Sequence, residues 1–203
     1  MSKSQLIVLG VVALAFVGLG TKAWAQNATA KNAVDPKSKE VVQKPKILIA
    51  YYSYSGNTRA VAEEIQKATG GDLFEIVPAR AYSSDYKTVV AEAKEEIQSK
   101  KWPALKNNVA NIADYDLVFI GAPNWWSTIA PPVTTFLKSH DLAGKKVAPF
   151  ITHGSGGVAR TVDDIKSLTP KSTALDAFAA PGKEVKKSLN KVHTWLRKIG
   201  VSQ

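Results

Sequence analysis

The sequence predicts an α/β fold: a doubly wound parallel sheet of five strands with helices on both faces. Three observations carry this. Strand-like and helix-like segments alternate from Lys46 to Ile199. Two of the strand-like runs, beginning at Ile47 and at Leu117, are apolar throughout, as strands covered on both faces must be. Each run breaks abruptly into small, hydroxyl-bearing or aromatic residues, so the unusual chemistry collects in the loops at the strand carboxyl ends.

Each element follows from local pattern. The first run gives way at Ser53–Thr58 to hydroxyl residues, one glycine and one asparagine. Arg59–Ala68 then takes up helical spacing, with Val61, Ile65 and Ala68 on one face. Asp72–Val77 alternates strictly, Phe74 and Ile76 opposite Leu73, Glu75 and Val77, which suits an edge strand. Tyr86–Ile97 reads as an amphipathic helix with Tyr86, Val89, Val90, Ala93 and Ile97 on its apolar side. Pro103 opens a loop that runs to Asp114-Tyr115-Asp116. Leu117–Ala122 is the central strand, and Pro123–Ser127 leads from it to Pro131-Pro132, the start of a helix carrying Val133, Phe136 and Leu137. Val147–Thr152 is the fourth strand, although Pro149 removes a ladder donor and normally marks an edge or a bulge. One missing ladder bond is expected there. Arg160–Leu168 is helical, and Thr173–Ala179 alternates as the other edge. Val185–Ile199 closes the chain as a helix with Val185, Leu189, Val192, Leu196 and Ile199 on one face.

Length and composition narrow the function. The 203 residues suffice for one well-buried domain with appendages. There is no cysteine, which excludes disulfides, thiolate catalysis, iron–sulfur ligation and a lipoprotein anchor. Any redox chemistry must therefore be carried by a bound cofactor. His140, His153 and His193 are far apart and show no metal-ligand spacing. The formal net charge of +10 favours anionic partners, but the lysines are scattered and no basic helix or aromatic–basic interleaving picks out nucleic acid.

The first 25 residues read as an export signal. Lys3 supplies the positive start, Leu6–Gly20 the apolar core, and Ala23-Trp24-Ala25 a small-x-small cleavage site before Gln26. An uncleaved membrane anchor is the rival, against which stands the shortness of the apolar run. No arginine precedes Arg59, so the twin-arginine signature is absent and any cofactor would be acquired outside the cytoplasm. Residues 26–45 are polar, lysine-rich and aperiodic, a flexible linker. Cleavage would remove Lys3 and Lys22, taking the charge from +10 to +8.

Three loops leave the carboxyl ends of the apolar strands, where open α/β sheets bind their ligands. Ser53, Tyr54, Ser55, Gly56, Asn57 and Thr58 suit a phosphate, because the first N–H groups of a helix lack partners and Gly56 lets the backbone approach. No lysine follows the glycine, which excludes a nucleotide-triphosphate loop, and three spaced glycines are missing, which excludes a dinucleotide fingerprint. A turn capped by Ser or Asn that binds nothing uses the same residue types. Pro123, Asn124, Trp125, Trp126 and Ser127 form an aromatic loop. His153, Gly154, Ser155, Gly156 and Gly157 form a glycine-rich loop with one imidazole. Together the three would hold a flat ring system with a phosphate tail.

The first loop resembles the flavin mononucleotide (FMN) phosphate loop of flavodoxins, Ser/Thr-x-Ser/Thr-Gly-x-Thr. Gly121-Ala122-Pro123-Asn124-Trp125-Trp126 resembles the Gly-x-Pro-x-Trp-Trp segment of a flavodoxin subfamily, and Pro149-Phe150-Ile151-Thr152-His153-Gly154 its Pro-Phe-x-Thr-His-Gly segment. The resemblance implies a flavodoxin-like sheet of order 2-1-3-4-5 and FMN as cofactor. It also implies that Ser53–Thr58 hold the phosphate and that Asn124, Trp125 and Trp126 flank the isoalloxazine. His153 and Gly154–Gly156 would then meet the pyrimidine edge. Two adjacent tryptophans cannot both face one way on a strand, so at least one has a packing role. His153 could equally be a structural imidazole bonded to the backbone.

Three functions remain open at this point. The chain could be an exported electron carrier working with redox partner proteins, acidic ones or ones at an anionic membrane surface. It could be an FMN-dependent reductase of quinones using a nicotinamide, or a flavin-binding module without turnover. No general-base or nucleophile constellation is visible, and no catalytic residue is assigned. The basic charge sets it apart from flavodoxins proper, which are generally acidic.

Overall fold

The computed structural model describes residues 44–201. The export signal expected over residues 1–25, and all but the end of the linker expected over 26–45, lie outside them. Strand β1 (Ile47–Tyr51) is buried along its whole length. Because side chains alternate across a strand, Ile47, Ile49 and Tyr51 enter one core while Leu48, Ala50 and Tyr52 enter another. Helix α1 (Asn57–Thr69) covers the first face with Val61, Ala62 and Ile65. Strand β2 (Asp72–Glu75) pairs with β1 and stops two residues short of the alternating pattern. Helix α2 (Tyr86–Ser99) buries Val89 and Ala93; Asp85 caps it by accepting the Thr88 N–H at 2.8 Å.

Strand β3 (Leu117–Trp125) runs three residues beyond the apolar run and pairs in a tight hairpin with β4 (Thr128–Ile129). The loop expected at Pro123–Ser127 is thus a strand end plus a two-residue turn. Helix α3 (Pro131–Ser139) follows and buries Val133, Phe136 and Leu137 in the second core. Strand β5 (Lys146–His153), helix α4 (Thr161–Leu168), the short strands β6 (Thr173–Ala174) and β7 (Phe178–Pro181), and helix α5 (Val185–Lys198) complete the chain. Apart from β4, the strands described all pair in parallel, in the order β2-β1-β3-β5 with β6 and β7 sharing the last position. This is the 2-1-3-4-5 order of a flavodoxin-like sheet.

The single edge strand expected over Thr173–Ala179 is split, and Pro149 is the reason. Val147 faces Ala174 and Phe150 faces Phe178, so three steps on β5 are matched by four on its neighbour. One residue is extra: a bulge. The Val147 carbonyl accepts the Leu175 N–H at 2.8 Å, so Val147 turns its backbone groups towards the fifth strand, and two residues on so does Pro149. Pro149 has no N–H to offer, and the neighbour breaks its ladder there. Pro149 therefore marks a bulge in its partner, while β5 itself stays central between β3 and the fifth position.

Trp195 of α5, which lies off the predicted apolar stripe, fills that break. Its indole N–H donates to the Asp176 carbonyl at 2.8 Å and its ring packs on Phe119 and Phe178. Gly121 answers a different demand. A Cβ there would lie 2.2 Å from Phe150 Cζ and 2.7 Å from Tyr51 Cβ, so the absent side chain makes room for the Phe150 ring.

Candidate functional site

The carboxyl ends of β1, β3, β5 and β7 open onto a cleft of about 680 Å³, at the point where the strand order reverses. Its floor is the start of α1. Gly56 stands at the N-cap with φ +83°, where only glycine sits without strain, and a Cβ on it would touch nothing. The Arg59 N–H donates to Ser53 Oγ at 3.2 Å and the Ala60 N–H to the Gly56 carbonyl at 3.0 Å. The N–H groups of Gly56, Asn57 and Thr58 have no acceptor among the described residues. No acidic side chain stands in the first turn of α1 to offset its positive end. Three free donors at one helix terminus form an anion cradle.

The hydroxyls around this cradle differ. Ser55 Oγ accepts from Asn57 Nδ2 at 3.1 Å and lines the cleft with Tyr54 and Asn57. Thr58 is buried, and its hydroxyl pairs with that of Thr152 at 2.8 Å, tying the first loop to the end of β5. Arg59 sends its guanidinium away to Glu75, 2.5 Å distant.

The two tryptophans diverge. Trp125 lines the cleft and meets Tyr52, Tyr54 and Tyr82 edge-on, with ring centroids 5.2 to 5.7 Å apart. Trp126 turns to α2, its indole N–H donating to the Val90 carbonyl at 3.0 Å. Ser127 completes the turn and its carbonyl accepts the Arg160 N–H. Pro123 and Asn124 line the cleft, and Asn124 Nδ2 donates to the Gly157 carbonyl at 2.6 Å, joining the second loop to the third. In the third loop His153, Gly154 and Ser155 line the cleft; Gly156 does not. His153 Nδ1 lies 3.0 Å from the Gly154 carbonyl. A carbonyl only accepts, so Nδ1 carries the proton, and Nε2 has no partner among the described residues.

Sequence reasoning missed a fourth loop. Pro181, Gly182, Lys183 and Glu184 line the cleft from the end of β7, and a Cβ on Gly182 would lie 2.7 Å from Asn57 Nδ2. The signal was present, since the strand-end rule applies to the fifth strand as to the others and Pro-Gly marks its turn. Thr152 and Tyr86 also reach the cleft. Behind Trp125, burial pushes the Tyr52 and Tyr82 hydroxyls and the Glu96 carboxyl above their ordinary pKa values, and Tyr82 donates to Glu96 at 2.5 Å. Among the described residues no cluster of His, Cys, Asp or Glu could hold a metal ion.

A doubly wound sheet with an anion cradle and an aromatic wall at its switch point defines a class of phosphate-bearing-ligand proteins. Comparison with known proteins narrows it. The sequence pattern of the Flavodoxin family matches residues 46–199, and the chain belongs to that family. A Bacteroides eggerthii structure assigned as a flavoprotein is 33% identical over 78% of this chain and 99% of its own, with a TM-score of 0.66. A second, from Bacteroides uniformis, is 30% identical over 73% of this chain and 99% of its own, with a TM-score of 0.64. A flavoprotein from Lactobacillus acidophilus, solved in complex with FMN, is 28% identical over 70% of this chain and 97% of its own, with a TM-score of 0.59.

Proposed function

We infer that this chain binds FMN in the cleft and works as an exported electron-transfer protein of the subfamily carrying the Gly121–Trp126 and Thr152–Gly154 segments. The observation that carries this is the anion cradle: three N–H groups without an acceptor among the described residues, at a helix terminus with no acidic side chain in its first turn, beside a cleft walled by aromatic side chains. The FMN complex of the Lactobacillus acidophilus relative supports the choice of ligand. FMN, when bound, supplies reversible electron transfer. The chain supplies the rest. Gly56, Asn57 and Thr58 offer backbone donors to the phosphate, with the Ser53 and Ser55 hydroxyls beside them. Asn124 and Trp125 bound the ring, and Trp126 and Ser127 hold the turn that sets Trp125. His153, through Nε2, and the Gly154–Ser155 backbone face the ring's polar edge.

Export rests on the amino-terminal pattern of charge, apolar run and small-x-small site, which gives a periplasmic or extracellular location. A mature charge of +8 directs association towards acidic redox partners or an anionic membrane surface. Among the described residues no helix is long and apolar enough to cross a membrane.

The test is a titration of the chain with FMN and with riboflavin, followed by quenching of flavin fluorescence. One-to-one binding with FMN about tenfold or more tighter than riboflavin is expected, because only FMN reaches the cradle. Equal affinities would remove the phosphate assignment, and no binding of either would remove the flavin.

A further inference from the structure

The lysines are scattered along the chain, but their excess over carboxylates is not. Residues 183–198 hold six lysine and arginine side chains against a single carboxylate, Glu184. The other described residues hold sixteen against fourteen. Helix α5, with the turn before it, is thus basic, where scattered charge is expected from the sequence.

The fold uses little of this charge. His193 Nε2 lies 2.7 Å from Glu64 of α1, and Lys198 pairs with Asp176 at 2.8 Å. Lys183, Lys186, Lys187 and Lys191 are exposed, and none has a carboxylate or other side-chain partner among the described residues. Their placement opposes folding. Lys186 and Lys187 stand in the first turn of α5, at the positive end of its dipole, where no acidic side chain offsets them and Glu184 makes no capping bond. Lys187 and Lys191 are four residues apart on one helix and repel each other. Cations that work against the fold and bond to nothing in it suit an anion from outside.

Position and chemistry choose that anion. Lys183 lines the cleft, and α5 runs on from there for about 21 Å. An anionic surface laid along the helix therefore ends at the cleft mouth. The apolar side chains of α5, from Val185 to Ile199, pack against the first core, so its outer face has nothing to sink among lipid chains. The most exposed large hydrophobics, Tyr86 and Trp126, belong to α2 and the β3–β4 turn. Five of the six cations are lysines, hydrated point charges that attract a partner without fixing one orientation. We propose that the outer face of α5 docks an acidic protein surface, in a rapidly exchanging complex that sets the partner against the cleft mouth. Docking stands on this charge alone, whereas electron exchange with the partner rests on flavin occupying the cleft.

The experiment is a titration of the full chain, with and without FMN, against fluorescently labelled poly-L-glutamate, followed by anisotropy. At about 0.1 M salt, charges more than about 10 Å from the bound peptide are screened. Saturable binding is expected. Lys186→Glu/Lys187→Glu should weaken it about tenfold, since each reversal turns an attraction into a repulsion. Lys186→Gln/Lys187→Gln, which removes the charges without reversing them, should weaken it about threefold. Lys101→Glu/Lys171→Glu, with the same net charge but in the loops after α2 and α4, should change it less than about twofold. The first pair should also raise the urea midpoint, because glutamate suits the first turn of a helix and pairs with Lys191. No saturable binding, equal weakening by the two glutamate pairs, or a lowered urea midpoint would overturn the proposal. Phosphatidylglycerol vesicles bound through Lys186 and Lys187, with polyglutamate unbound, would also overturn it and assign the face to lipid. Polyglutamate binding without FMN binding would keep this face and remove the flavin assignment; FMN binding without polyglutamate binding would do the reverse.

Discussion

Gly182→Ala tests how the fourth loop serves the cradle. The new Cβ would lie 2.7 Å from Asn57 Nδ2, while its other contacts, Asn57 Cγ and the His153 carbonyl at 3.6 Å, are ordinary. The backbone at Gly182 is not left-handed, so alanine brings no strain of its own. To reach ordinary contact the Asn57 amide must retreat by about 0.7 Å, and a shift of that size directed away from Ser55 Oγ would stretch their bond from 3.1 Å to beyond hydrogen-bond range. A neutral hydrogen bond is worth about 0.5–1.5 kcal/mol, so folding stability should fall by no more than about 1.5 kcal/mol. Ser55 and Asn57 lose their mutual positioning, and FMN affinity should fall about 2- to 12-fold, the same energy expressed as binding. Riboflavin, which has no phosphate, should be unaffected. Urea unfolding and flavin fluorescence quenching measure the two quantities. Equal weakening of FMN and riboflavin, or no change in either, would refute the coupling between this loop and the cradle.

Three further outcomes are expected. Gly121→Ala places a Cβ 2.2 Å from Phe150 Cζ in a region with no free space, and should lower stability by about 3 kcal/mol in urea unfolding; adding Phe150→Leu should restore part of that loss. Burial raises the Glu96 carboxyl above its ordinary 4.5, partly offset by the Tyr82 hydrogen bond, so the folded chain holds that proton more tightly than the unfolded one. Stability from this group is then present below pH 4.5 and lost as pH rises through the folded value. Glu96→Gln should therefore gain on the native chain between pH 4.5 and 7 and match it below, and urea midpoints showing the opposite sign would refute the assignment. Finally, reduction by an acidic partner should slow as salt rises, since charges beyond about 10 Å are screened at 0.1 M; a rate indifferent to salt would rule out steering by the lysines.

The sequence by itself determined the sheet, its parallel sense and the three loops that meet at the site. Periodicity reports which side of a segment is apolar, and β1 and the start of β3, apolar on both sides, had to be central. The strand order came with the motifs of Ser53–Thr58, Gly121–Trp126 and Pro149–Gly154. What neighbours a residue across the sheet is not periodic, and there the tertiary structure decided. Thr58 reads as offering the phosphate both its N–H and its hydroxyl, but in the fold the hydroxyl meets that of Thr152, 94 positions away, and is buried with it, which leaves the N–H. Trp126 reads as a flavin neighbour, but a left-handed turn carries it round to Val90 of α2. Pro149 reads as an edge or bulge signal with one missing ladder bond, and the fold shows where the bulge falls: in the adjoining strand, beside Trp195. Pro181-Gly182 marks a turn at the end of the fifth strand, but only the packed chain shows that Gly182 stands against Asn57 at the start of α1. Local pattern fixes which atoms need a partner, and only the packed chain brings each one within reach.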